Sequence, residues 1–391
     1  MNNPSNEELA RTQQELIAAG CDFALLTSLA NVTYVSGFEV PVALGALAEF
    51  AYGQPLALCS AWDSASWLVI PNAYTSQAQA QSRLQETLLF DTFDHFNPSD
   101  SHHSFLANIR TALRETALTD TAATVGIEMR TLPHGVSALL AAEFPRLKLV
   151  DVAAALQRAR SIKTAREISL LRRAAHIADI GQRTLAELVQ RAGQDEFTMW
   201  AEITARMFRA VGHEVPVVGE LVTGPRTCTV AYPNGPRNRI TQVGDAALMD
   251  ISQRIDGYWS DCTNTHIVGG VAPTQEQRRY AKASQAACEA AMESLRPGNV
   301  AADAWAAADA AFQAYGLQSA HYAGHQIGVT VNESPRLVPY DHTPIEAGMV
   351  FSVEPGVYQG PGGDFGARSE KMVLVTAAGP EILSDFEWGI A

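Results

Sequence analysis

The chain has 391 residues, of which 47% are hydrophobic and 18% charged, a composition that predicts a packed globular protein rather than a disordered one. Its formal net charge of -14 predicts an acidic surface that repels phosphate backbones and anionic membranes, so we expect no nucleic acid and no membrane among its partners. Five cysteines without a CxxC spacing, together with a polar N-terminus that lacks an apolar signal region, predict reduced thiols and a cytoplasmic protein.

Helix and strand patterns alternate along the first 150 residues. Helical spacing of apolar residues covers positions 7–19 and is ended by Gly20. Short apolar runs predict strands, with helices between them, at residues 22–29, 65–70, 125–128 and 147–152. This alternation predicts a βαβ-like domain of ordinary size.

After a break near residues 161–164, the remainder of the chain begins with two helices and then follows a β, α, β order. Long helices are predicted from Ala165 and from near Glu196, and a Gly- and Pro-punctuated strand region extends from Gly212 to Val271. An Ala-rich helical block covers residues 274–315, and strand signals return at 328–376. We therefore predict an α/β (α+β) protein with two domains, residues 1–157 and 158–391, the second with helices covering a curved antiparallel sheet.

Two aspartates are predicted to meet on one face of a hairpin. Asp256 and Gly257 form a strong turn signal between two strand-like runs. With those residues as the turn, Ser252 pairs with Asp261, and Asp250 lies diagonal to Asp261 on the same face. Such a pair can hold adjacent metal ions, although an isolated pair of this kind is more often a pair of solvated acids.

Three more residues of metal-ligand type follow in contexts that suit a ligand. His325 lies between glycines, Glu354 ends an apolar strand, and Glu370 shares a strand face with Arg368. Taken singly, His325 is more often a structural histidine than a metal ligand, and Glu370 with Arg368 is more often a surface ion pair. Five such residues in order favour a hard, oxygen-rich site for two divalent cations that share a water.

These motifs resemble the M24 metallopeptidase family, which includes Xaa-Pro dipeptidases, aminopeptidase P, methionine aminopeptidase and creatinase. The resemblance covers nearly the whole chain and includes NVTYVSGF at residues 31–38, SDCT at 260–263, AGHQIG at 323–328, EAGMVFSVEPGVY at 346–358 and GARSE at 366–370. It implies a creatinase/prolidase-type N-terminal domain, a pita-bread catalytic domain and a homodimer.

The resemblance also implies roles for the five residues. Asp250 would bind one metal, Asp261 and Glu370 would bridge two, and His325 and Glu354 would hold the second. Glu354 would also relay the proton of the shared water. The oxygen-rich set favours Mn²⁺, with Co²⁺ and Zn²⁺ as alternatives.

The sequence departs from the family at two histidines. In the stretch VNESP at residues 331–335, Asn332 stands where the family has a histidine, and the loop at 224–239 contains none. An asparagine can donate a hydrogen bond but cannot exchange a proton near neutral pH. We expect other groups to replace the imidazoles, namely Tyr232, Asn234, His213 or His321.

Substrate contacts are predicted from the same comparison. His321 is predicted to act in catalysis, and Tyr232, Asn332 and His213 to contact the substrate. Arg368 matches an arginine that contacts the substrate carboxylate in prolidases, which favours a small carboxylated substrate, with an ion pair to Glu370 as the alternative.

The leading hypothesis is a dinuclear metal-dependent hydrolase that cleaves a C–N bond in a small substrate, with Xaa-Pro dipeptides as the default. The missing histidines keep a rival open, a related enzyme that acts on a compatible solute, an amidine or a small zwitterion, as hydrolase or lyase. A third hypothesis is a non-catalytic peptide-binding protein, although such a protein would tend to lose its metal ligands.

Overall fold

The computed structural model describes residues 6–42, 53–92, 94, 96–116, 122–230 and 235–390. The chain divides into two compact units, Met1–Arg160 and Ser161–Ala391. Within the described ranges, no helix combines the length and the apolar character that crossing a bilayer requires. Tyr232 and Asn234, two of the predicted replacements for the histidines, lie outside these ranges.

A six-stranded mixed sheet forms the centre of the first unit. Its strands are β1 (Phe23–Leu26), β2 (Leu56–Ser60), β3 (Ser66–Pro71), β4 (Glu86–Phe90), β5 (Thr124–Ile127) and β6 (Lys148–Asp151). They lie in the order β4-β3-β2-β1-β5-β6, with β1-β2 and β2-β3 antiparallel and the other pairs parallel. The helices are α1 (Glu7–Ala18), α2 (Leu29–Ser36), α3 (Thr75–Gln81), α4 (Ser101–Glu115), α5 (His134–Glu143) and α6 (Ala153–Ser161).

The second unit contains antiparallel sheets and two pairs of helices. The helices are α7 (Ala165–Leu188), α8 (Glu196–Val211), α9 (Gln275–Ser294) and α10 (Ala301–Ala314). One sheet contains β7 (Val217–Thr223), β8 (Ala246–Ile255), β9 (Tyr258–Trp259) and β10 (Cys262–Ile267). A five-stranded sheet, in the order β12-β11-β13-β16-β17, contains β11 (Gly324–Gln326), β12 (Glu333–Leu337), β13 (Val350–Val353), β16 (Lys371–Thr376) and β17 (Gly379–Ile382). A short ribbon pairs β14 (Gly356–Tyr358) with β15 (Gly366–Arg368). The predicted β, α, β order of this unit is confirmed.

Each helix pair packs over strands of this unit. Buried side chains of α7 and α8 share a core with β7, β8 and β10, and those of α9 and α10 share another with β13 and β16. Small side chains on α10 allow its close approach to α9, because Ala301, Ala304 and Ala308 are fully buried there. The start of α7 is fixed by a capping box, in which Thr164 and Glu167 satisfy each other's backbone N–H groups.

The predicted hairpin is present with the predicted register. Asp256 and Gly257 have φ angles of 51° and 87°, as a two-residue turn of type I′ requires. Ile255 pairs with Tyr258 on one side of the turn, and Asp250 pairs with Thr263 further along β8 and β10. This register fixes which side chains of the two strands share a face.

A glycine lets β7 lie close to β8 beside the predicted metal ligands. Gly219 has a φ angle of +142°, and a Cβ atom at this position would lie 2.1 Å from the backbone oxygen of Asp250. The following residue, Glu220, is thereby held directly opposite Asp250 in the sheet.

We predict that Gly219→Ala destabilises the protein. The added methyl group meets rigid backbone and the positive φ disfavours alanine, so the free energy of unfolding should fall by roughly 2–4 kcal/mol in urea titrations. Gly235→Ala is the matched control, because a Cβ atom there meets nothing within 4 Å. Equal stability of the two variants would show that β7 can move away from β8 at no cost.

Candidate metal centre and substrate cavity

Two adjacent rows of residues cross β7, β8 and β10 and form one wall of the site. Glu220, Asp250 and Thr263 are opposite one another in the register. In the next row, Ser252 donates a hydrogen bond of 2.8 Å to Oδ1 of Asp261. Because alternate residues of a strand share a face, Asp250 and Asp261 lie on the same side of the sheet, as the hairpin predicted.

The five-stranded sheet brings the other ligand-type residues to this wall. Asp261, His325 and Glu370 are buried, and each offers a ligand atom within 4.8 Å of the other two. Nε2 of His325 is 3.1 Å from Oε1 of Glu354 and 3.6 Å from Oδ2 of Asp261. Nδ1 of His325 is 2.9 Å from the carbonyl oxygen of Gln326, which favours a protonated Nδ1 and leaves Nε2 for a ligand.

The unused atoms of these side chains fit a pair of metal ions. Within the described part of the chain, Oδ1 of Asp250, Nε2 of His325 and Oε1 of Glu370 are buried without a well-directed hydrogen bond. Their partner oxygens are held in place, since Thr263 donates to Oε2 of Glu370 at 2.6 Å. Buried oxygens and an imidazole nitrogen that face one another are ligands that divalent cations take.

The pKa values of these side chains also fit a pair of metal ions. Burial raises the pKa of Asp250 and of Glu370 well above the ordinary carboxyl range, and the charge of Asp261 raises both further. Burial lowers the pKa of His325, but the carboxylates of Asp261 and Glu354 outweigh it and raise that pKa to about 10. Burial likewise opposes ionisation of Glu354, but His325 more than offsets it and lowers the pKa of that carboxyl. In the metal-free protein, protons are therefore held where cations would bind.

Arg368 lies across the first row of the wall. Its Nε donates to Oγ1 of Thr263 at 3.1 Å and its Nη1 to the hydroxyl of Tyr358 at 3.0 Å. Its Nη2 donates to Oδ2 of Asp250 at 2.8 Å and, more weakly, to Oε2 of Glu220 at 3.5 Å. Four of the five N–H groups of the guanidinium are therefore used by the protein. The predicted alternative, an ion pair of Arg368 with Glu370, is not found among the described residues, because Arg368 pairs with Asp250 and Glu220 instead.

A cavity of about 200 Å³ opens beside these groups. Four of the predicted metal ligands line it, namely Asp250, Asp261, His325 and Glu354, together with Glu220 and Arg368. Asn332 and His321 line it as well, as predicted substrate contacts would. Nε2 of His321 is 3.3 Å from the hydroxyl of Tyr358, and burial lowers the pKa of this imidazole.

One predicted substrate contact lies elsewhere. His213 is exposed in the segment after α8 and does not belong to the described residues that line the cavity. His213 was predicted because residues 224–239 contain no histidine, and that absence does not indicate where in the fold His213 lies. The segment that contains Tyr232 follows Val230, a residue of the cavity wall, but is itself outside the described ranges.

The structure adds residues that the sequence patterns did not reveal. Ser252 and Thr263 donate hydrogen bonds to the carboxylates of Asp261 and Glu370, and the hydroxyl of Tyr358 accepts one from Arg368. Glu220 is a further buried acid of the wall. It stands in the apolar run VVGELVT, so the argument that singled out Glu354, an acid in an apolar strand, applies to it equally.

Comparisons with known proteins agree with this architecture. The model of metallopeptidase family M24 matches residues 169–377, more than half of the chain, and that of the creatinase/prolidase N-terminal domain matches residues 8–162. The chain belongs to metallopeptidase family M24. The predictions of a metal-dependent hydrolase of this family, with a creatinase/prolidase-type N-terminal domain and a pita-bread catalytic domain, are confirmed.

Individual relatives of this M24 protein include enzymes named Xaa-Pro dipeptidase. The one from Pyrococcus furiosus is 30% identical over 58% of this chain and 64% of its own length. The one from Pyrococcus horikoshii is 26% identical over 98% of both chains. The crystal structure of the prolidase from Pyrococcus horikoshii OT3 is similar with a TM-score of 0.78 and 24% identity, over 98% of this chain and 100% of that one, which shows a shared fold.

We predict that metal affinity rises with pH. Ions must displace protons from Asp250, His325 and Glu370, whose pKa values are raised in the metal-free protein, so affinity should increase from the ordinary carboxyl range up to a pH of about 10. Calorimetric titration of Mn²⁺ at about pH 6 and about pH 8, in buffers of different ionisation enthalpy, should reveal proton release and tighter binding at the higher pH. Affinity that is independent of pH would contradict this charge arrangement.

We predict that Asp261→Asn and Glu370→Gln each lower the metal content and reduce activity by roughly a hundredfold or more. Each change replaces a charged ligand by a weaker amide of the same shape. Cys262→Ser is the control, because the thiol of Cys262 faces Gln182 and is no ligand, so this variant should retain its metal. A fully active, metal-replete Asp261→Asn variant would disprove the ligand assignment.

Proposed function

We propose that this protein is a dinuclear metal-dependent hydrolase that cleaves the C–N bond of Xaa-Pro dipeptides or of the N-terminal Xaa-Pro bond of short peptides. The observation that carries the proposal is that Asp250, Asp261, His325 and Glu354, from two sheets, line one small cavity, and that Glu370 offers a ligand atom within 4.8 Å of those of Asp261 and His325. The Xaa-Pro dipeptidases that align with this chain support this choice of substrate class.

The roles proposed for the five residues are those that the family resemblance implies, and the clustering of their side chains supports them. Asp250, Asp261, His325, Glu354 and Glu370 would together hold two ions. When bound, the ions would lower the pKa of a shared water and polarise the scissile carbonyl. Glu354, whose pKa is lowered, is ionised at neutral pH, so its carboxylate can take a proton and return it to the leaving nitrogen.

Three of the predicted substrate contacts remain part of the proposal because they line the cavity. Asn332 can donate a hydrogen bond to the substrate carbonyl or carboxylate, whereas Nε2 of neutral His321 can accept one, because its Nδ1–H donates to the carbonyl oxygen of Tyr322. Arg368 has one N–H group left to offer after its contacts within the protein. Catalysis would therefore rest on fixed donors rather than on an imidazole at residue 332.

Three finer features complete the proposal. The resident ions are Mn²⁺, because four of the five ligands are carboxylates, with Co²⁺ and Zn²⁺ as alternatives. The protein acts as a homodimer, as the family resemblance implies. It is cytoplasmic, since its five cysteines are buried thiols, which suit a reducing compartment.

A specific observation favours one rival function. Asn332 lines the cavity at the position where a histidine was expected from the family, and a positioned donor of that kind is worth on the order of 10²–10³ in rate. The same metal centre would then act on a small non-peptide molecule, such as an amidine or a compatible solute.

We predict that the Mn²⁺-loaded protein hydrolyses Ala-Pro, Gly-Pro and Leu-Pro, and that Asp261→Asn does not. Proline release should be measured together with the metal content of each sample. A metal-replete protein that turns over none of these dipeptides would favour the non-peptide rival. A protein that binds no metal even with added Mn²⁺ or Co²⁺ would instead favour a non-catalytic peptide-binding role.

A further inference from the structure

Glu220 is a carboxylate of the cavity that the metal site does not need. It follows Gly219 in β7, directly opposite Asp250, and only 3% of its surface is exposed. It nevertheless lines the cavity. A buried glutamate on the wall of a substrate cavity requires a partner for its charge.

Among the described residues, only one oxygen of Glu220 has such a partner. Oε2 is 3.5 Å from Nη2 of Arg368, whereas Oε1 is buried and accepts no hydrogen bond from any part of the chain that the structure describes. A buried carboxylate oxygen without a donor is costly to the folded protein. The cost is recovered when a ligand in the cavity supplies the donor.

The charge nearby specifies the kind of donor. The Nη2 group of Arg368 is shared between two carboxylates and is closer to Asp250, at 2.8 Å, than to Glu220. The contact of Glu220 with this guanidinium is long, at 3.5 Å, so the carboxylate at this end of the cavity is only weakly paired. A cationic donor is favoured there over a neutral one, and an anion is disfavoured.

We propose that Glu220 determines specificity by binding a positively charged nitrogen of the substrate through its free Oε1 atom. This inference rests on the proposed function, and in an Xaa-Pro dipeptide the nitrogen is the α-ammonium group. Glu220 thereby orients the substrate, because the cationic end is held at β7 and the scissile bond lies toward His325 and Glu354.

The first experiment does not depend on any peptide being a substrate. Acetamidinium and acetamide have the same shape but differ by one positive charge, and their binding to the Mn²⁺-loaded protein can be compared by calorimetry at constant ionic strength. We expect acetamidinium to bind at least roughly tenfold more tightly, and Glu220→Gln to abolish the difference. Glu214→Gln, which changes an exposed glutamate before β7, should preserve it.

The second experiment uses matched substrates. Gly-Pro is compared with hydroxyacetyl-proline, in which a hydroxyl replaces the amine. Glu220→Gln should raise KM for Gly-Pro by roughly tenfold to a hundredfold and leave KM for the neutral analogue and both kcat values nearly unchanged. Glu220→Asp keeps the charge on a shorter side chain and should retain part of the preference for Gly-Pro over hydroxyacetyl-proline. This variant replaces Glu220→Gln in the test if the glutamine variant does not fold.

The outcomes separate this inference from the proposed function. An equal rise in KM for Gly-Pro and hydroxyacetyl-proline in Glu220→Gln would overturn the role of Glu220. Equal binding of acetamidinium and acetamide by the unaltered protein would overturn it too. Loss of metal from Glu220→Gln would overturn it as well, because Glu220 would then be a metal ligand. Preferred binding of acetamidinium without hydrolysis of any dipeptide would support Glu220 and refute the dipeptidase.

Discussion

Mutual repulsion among buried carboxylates is the constraint on which this active site depends. Asp250, Asp261, Glu354 and Glu370 converge within the second unit, and burial together with the charge of Asp261 raises the pKa of Asp250 and Glu370. Of the described residues that line the cavity, Arg368 alone carries a permanent positive charge, and one guanidinium cannot balance four acids. Cations must complete the site, which explains why a stable fold tolerates so many acids in its interior.

The register of the strands places these carboxylates close to one another. Asp250 and Asp261 share a face because a two-residue turn sets the pairing of β8 with β10. A slip of β10 against β8 by one residue would move Asp261 to the opposite face, where the side chains of α7 and α8 pack, and would separate it from Asp250. Gly219 has a similar effect on β7, since its missing side chain lets Glu220 reach the same wall.

The sequence predicted the parts of the site that depend on local rules. The turn at Asp256 and Gly257 required only two residues, and the register followed from counting outward along the strands. The contacts of Arg368 could not be derived in this way, because its two acidic partners lie 148 and 118 positions away. Strand alternation placed Arg368 on the face of Glu370, but only the packing of the two sheets decides which acids its guanidinium reaches. In the first unit, β2 and β4 were missed, since a short buried apolar run such as β2 has no periodicity that separates a strand from a helix, and β4 is largely exposed.

The predicted metal ligands come from two different sheets, Asp250 and Asp261 from the β8–β10 hairpin and His325, Glu354 and Glu370 from or beside strands of the five-stranded sheet. Bound ions would therefore cross-link the two sheets and stabilise the folded pita-bread domain. Chelation would remove more than catalytic power, since the two sheets would lose the ions between them and the acids would have to take up protons or repel one another. The melting temperature of this domain would then report the fraction of its metal sites that are occupied.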